Sequence, residues 1–107
     1  MSQGTLYEVT VEVIEVRGNC AADYKIGDKF TIKGFYIEPK GNTAKLCIHA
    51  LTSMTSLLSP FLHGASAKLL GIGEKDDNGY LQCPDPGKPY TCGGTVIFRL
   101  KRERKIF

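Results

Sequence analysis

The hydrophobic period changes twice along this chain, and that change is what most restricts its fold. Near the start, Tyr7, Val9, Val11 and Val13 alternate with Glu8, Thr10 and Glu12. Near the end, Val96, Phe98 and Leu100 alternate with Arg99 and Lys101. A period of two is the mark of a half-buried strand. Between these stretches, Cys47, Ala50, Leu51, Met54, Leu57 and Leu58 recur at three- and four-residue steps, which places them on one stripe of a helix. Strands at both ends and helix in the middle predict an α+β domain: a small twisted antiparallel sheet packed on one main helix, with a short second helix.

The finer pattern locates the elements. After Val13 the apolar series moves to Ile14 and Val16, so a bulge or bend is expected there, re-aiming the chain before Cys20. A second strand is predicted from Asp28 to Lys33, with Phe30 and Ile32 on one face and a turn at Gly34. Asn42 or Thr43 is the expected cap of a helix running from Thr43 to about Leu58, because either side chain accepts from the free amides of a first turn. Ser59-Pro60 then reads as a new cap and first position leading through Leu62, with further helix over Ala65 to Leu70. Residues 71–79 read as a polar loop with hairpin chemistry, followed by strands at Tyr80 to Cys83 and Thr95 to Arg102. Val9, Val11, Phe30, Leu51, Met54, Val96 and Phe98 are the expected core. No repeat, linker or boundary divides the 107 residues, so 1–107 is read as a single domain with a basic end at 101–107.

A chain of this length can bury a core without cross-links, so its four cysteines are not explained by smallness. No two form a CxxC pair, and any shared site must be assembled by the fold. Cys20 follows Gly18-Asn19, Cys47 opens the helical stripe, and Cys83 precedes Pro84-Asp85-Pro86. Cys92 stands in Thr91-Cys92-Gly93-Gly94 with no such setting. Met1 to Thr5 has no basic segment leading into an apolar one, and no run approaches the roughly 18 apolar residues of a membrane span. The expectation is a soluble cytoplasmic protein whose cysteines remain thiols unless a metal or a reaction uses them.

Three thiolates from Cys20, Cys47 and Cys83 suit zinc or an iron-sulfur cluster as cofactor. Cys92, His49, His63 or an exogenous molecule are the candidates for a fourth position. On a helix His49 would point about 200° from Cys47, which makes it a surface residue, and His63 before Gly64 reads as a C-terminal cap favoured by the helix dipole. Asp28 and Asp85 would either orient a ligand or form Asx turns. Two other readings stand beside the metal one. Buried cysteines behave as small apolar residues, which would make this a non-catalytic binding or accessory domain, and a thiolate near a helix start can act in redox or nucleophilic chemistry.

The net charge is +3, and Lys101-Arg102-Glu103-Arg104-Lys105 holds four of the fourteen basic residues. That end reads as a solvated strand end rather than a nucleic-acid footprint, since no aromatics interleave it. The partners expected are a small molecule or a redox partner protein, with self-association left open and neither nucleic acid nor membrane. Gly71-Ile72-Gly73 lacks the third glycine of a dinucleotide loop, and no Ser-His-Asp or HExxH pattern occurs.

Gly18-x-Cys20 with Gly27-Asp28-x-Phe30, then Leu46-Cys47-x-x-Ala50, then Cys83-Pro84-Asp85 with Val96-x-Phe98-Arg99-Leu100-x-Arg102 resembles a family of short, largely uncharacterised prokaryotic single-domain proteins. The resemblance runs from Val9 to Arg102. It implies one domain of about this length and brings no settled activity with it.

Overall fold

The alternating stretches at the two chain ends bury their apolar rows by pairing with each other. The structure, a computed structural model, describes residues 5–41 and 45–106. Strand β1 (Thr5–Gly18) lies antiparallel to the last strand, β5 (Gly94–Ile106). On its other side β1 pairs with β2 (Lys29–Lys33), which pairs with the two-residue β3 (Tyr36–Ile37), while β4 (Asn78–Gln82) closes the far edge on β5. The sheet order is β3-β2-β1-β5-β4, antiparallel throughout.

Register aligns the apolar rows. Val9 faces Ile32, Val11 faces both Phe30 and Leu100, and Val13 faces Phe98. Helix α1 (Ile48–Leu62) covers this row with Ala50, Met54, Leu58, Phe61 and Leu62. Seven residues were expected in the core, and all but the half-buried Leu51 are buried. The ladder shifts between Val13 and Glu15, so the bulge lies where the apolar phase slips. It keeps Val16 against the core although Val16 and Val13 have opposite parity.

The helix departs from expectation at both ends. It begins at Ile48, with Cys47 as an extended N-cap residue (φ −72°, ψ 120°), and the expected caps Asn42 and Thr43 lie outside the described residues. At the other end it runs through Ser59-Pro60 to Leu62 without restarting. Proline removes the amide that would bond the Ser56 carbonyl, and the loss falls at an exposed residue. Helix α2 (Ala67–Leu70) is a single turn, capped by the Ser66 hydroxyl accepting from the Lys68 and Leu69 amides and ended by left-handed Gly71. No helix among the described residues is long and apolar enough to cross a membrane.

The basic end is less solvated than its composition suggests. The Arg102 side chain is only 4% exposed. Its guanidinium donates to the Phe61, Ala65 and Asp76 carbonyls and twice to Asp77, while stacking on Phe61 and Tyr7 at 4.3 and 4.6 Å. It ties the C-terminal end of α1 to the sheet.

Candidate thiol pocket

Three of the four cysteines line one pocket of about 350 Å³. Each arrives by a different local device. Cys20 follows β1, whose last residue Gly18 lies opposite Gly94 of β5. The strands cross so closely there that a Cβ on Gly94 would sit 2.2 Å from the Arg17 carbonyl oxygen and 2.6 Å from the Asn19 nitrogen. Only glycine permits the approach, and it sets Cys20 and the start of β5 on one wall. A turn closed by the Asp23 amide on the Cys20 carbonyl, 3.0 Å, holds the residue there.

Cys47 reaches the pocket because it precedes α1 rather than belonging to it. Its carbonyl accepts the first helical bond from the Leu51 amide at 2.9 Å, and its side chain makes no capping bond. Cys83 follows β4 and is 8% exposed. Its amide donates to the Val96 carbonyl at 3.0 Å. Its sulfur accepts the Val96 amide at 3.2 Å, and its S–H faces the Gly94 carbonyl at 3.7 Å. Among the described residues, no three His, Cys, Asp or Glu side chains close around one point as a single metal ion requires.

Tyr24, unmarked by any motif, is the residue that organises this wall. Its ring is buried and meets Phe98 edge-on at 5.7 Å. Its hydroxyl donates to the Lys45 carbonyl and accepts the Cys47 amide at 2.8 Å, fixing the segment that leads into α1. Burial pushes its pKa up; the Cys47 amide opposes this, and the neighbouring Cys47 and Cys20 thiols and Asp28 reinforce it. An isolated tyrosine in the polar run Ala22-Asp23-Tyr24-Lys25 was the available signal, but the sequence could not name its partners.

Asp85 and Thr91 also line the pocket. The Asp85 carboxylate accepts from the Gly87 amide at 2.9 Å and from the Thr91 hydroxyl, and these bonds hold its pKa below the usual value. Asp28 accepts the Lys25 amide at 2.9 Å. Both therefore make local turn bonds, and Asp85 alone also borders the pocket. His49 is exposed, the surface position expected of it, yet it also lines the pocket; the 200° separation from Cys47 does not apply because Cys47 has extended rather than helical backbone.

The other proposed ligands lie elsewhere. His63 is the C-cap of the 15-residue α1, about 24 Å along the axis from Cys47, and its ring packs tilted on Phe35 at 5.0 Å. It cannot complete a site with the three thiols. Cys92 is exposed in the loop after Cys83 and does not line the pocket. No family model, curated protein or solved structure matches this chain. What defines it is a five-stranded antiparallel α+β fold carrying a thiol-lined pocket beside the helix N-terminus.

Proposed function

We propose that this is a cysteine-based binding protein in which Cys20, Cys47 and Cys83 hold a soft inorganic centre, in the first place an iron-sulfur cluster. The observation that carries the reading is the presence of these three thiols, from three separate segments, on the wall of one pocket. The Val96 amide on the Cys83 sulfur supports the same reading, because amide hydrogen bonds to ligating sulfur stabilise the thiolate and tune the centre.

We place a cluster before zinc on the donor chemistry of three thiolates. Zinc at about 2.3 Å from each sulfur draws tetrahedral thiolates to about 3.8 Å apart. No three ligands among the described residues close around one point, which weighs against a single zinc ion; in a cluster the thiolates would bind different irons. Three protein thiolates would leave one iron open to His49, at the pocket lining, or to an exogenous small molecule. An open iron would serve substrate binding, and a closed one electron exchange with a partner protein. A reducing cytoplasm would keep the thiols available.

Anaerobic purification and reconstitution with iron and sulfide, followed by visible spectroscopy and metal analysis, tests the reading. It predicts a brown protein with stoichiometric iron. A colourless protein with neither iron nor zinc after reconstitution would leave the second reading, an accessory domain with structural thiols. That reading is favoured by the low exposure of Cys83 and by the packing of Cys20 and Cys47 against the core.

A further inference from the structure

Back to back with the thiol pocket lies a second cavity of different chemistry. It is about 410 Å³ and bordered by Arg17, Asn19, Lys88 and Thr95, together with the backbone at Gly87 and Gly93. The two cavities divide the same segments. Cys20, Gly94 and Val96 line the first, while their chain neighbours Asn19, Gly93 and Thr95 line the second, and Pro86 borders both. Alternate residues of an extended chain point to opposite sides, so the start of β5 divides its residues between the two cavities.

The second wall contains two cationic side chains and no carboxylate. Arg17 is ion-paired through its Nε with Glu15, its two terminal amino groups making no salt bridge among the described residues, and Lys88 forms none either. The Asn19 amide adds hydrogen-bond donors. A guanidinium fork, an ammonium and an amide around one concavity match the oxygens of a phosphate group. Asp85 lines the thiol side; its carboxylate is tied to the Gly87 amide and the Thr91 hydroxyl and lies behind Gly93, so its charge is offset by local bonds but stays close to the second wall.

We infer that this cavity is a phosphate-binding site for a small phosphorylated molecule, formed by Arg17 and Lys88. It is independent of what the thiols hold, but it shares with them the segment 83–94. Occupancy would brace that segment from behind and so bear on the wall carrying Cys83.

Amide chemical-shift titration of the metal-free full chain tests the site apart from the thiol reading. Inorganic phosphate and phenyl phosphate at constant ionic strength are expected to give saturable shifts at Gly87, Gly93 and Thr95. The paired substitution Arg17→Glu and Lys88→Glu should weaken binding by about tenfold or more, the scale of a lost charged hydrogen bond. Lys101→Glu with Arg104→Glu, on the other basic region, should leave it unchanged. Shifts spread evenly over both basic regions, or shifts that survive the Arg17 and Lys88 reversals, would overturn the inference. A single-stranded oligonucleotide that binds more tightly than phenyl phosphate and is released by the Lys101 and Arg104 reversals would overturn it in favour of nucleic acid.

Discussion

Replacing Arg102 by alanine should cost this fold about 4 kcal/mol, although its sequence context suggests a dispensable surface charge. Its five guanidinium N–H groups are all used: one each to the Phe61, Ala65 and Asp76 carbonyls and two to Asp77. Truncation leaves three carbonyls without their charged donor, at about 1 kcal/mol or somewhat more each. The Asp77 pair adds under about 1 kcal/mol, because Asp77 is 66% exposed and solvent screens it. Loss of the two ring contacts adds about 0.5 kcal/mol apiece. With a urea slope of about 1.5 kcal/mol per molar, the midpoint should fall by roughly 2.5 M at unchanged slope. Arg102→Lys keeps the charge but not the planar fork, and should lie about midway. Arg104→Ala, at an exposed position of the same strand, should stay within about 0.5 kcal/mol of the parent. If Arg102→Ala unfolds within about 1 kcal/mol of the parent, the buried guanidinium is not the tie described above.

Three further outcomes follow from the site. Gly94→Ala places a methyl against the Arg17 and Asn19 backbone; it should cost about 2 kcal/mol or more, read by urea unfolding, and parent-like stability would contradict the close crossing. Tyr24→Phe keeps the ring on Phe98 but strips the Cys47 amide and Lys45 carbonyl of their partner. It should cost about 1 to 3 kcal/mol and speed Cys47 alkylation, and no change in either would contradict its positioning role. For Asp85, whose lowered pKa comes from Thr91 and Gly87, the stabilisation is complete above the ordinary carboxylate value of 3.8 and lost as pH falls through the lowered one. The Gly87 amide resonance should therefore titrate with a midpoint below 3.8, and a midpoint at or above that value would contradict it.

The sheet was legible because its signal is periodic and local. The phase slip at Ile14 and Val16 located the bulge, and alternation at both ends located the two long strands, though not their pairing with each other. The start of α1 was misplaced because the apolar stripe includes Cys47, which packs against the core from a non-helical backbone. That one shift also let His49, exposed as expected, border the pocket. Arg102 was read from the company it keeps in sequence, Lys101 and Arg104, whereas its burial depends on the end of α1 and on Asp77, contacts that no local pattern encodes. The separation of Cys20, Cys47 and Cys83 from Cys92 was visible in their contexts. Their common wall needed the glycine crossing and the Tyr24 bridge to appear.

Iron and sulfide bound after anaerobic reconstitution, measured in parallel for single Cys→Ser substitutions, tests the central claim most directly. With Cys20, Cys47 and Cys83 as the ligands, each of their serine variants should lose most of the bound iron and its visible absorption while remaining folded by circular dichroism. Cys92→Ser, outside the pocket, should retain both. Equal iron in all four variants, or none in the parent, would contradict the claim that the three pocket thiols hold an inorganic centre.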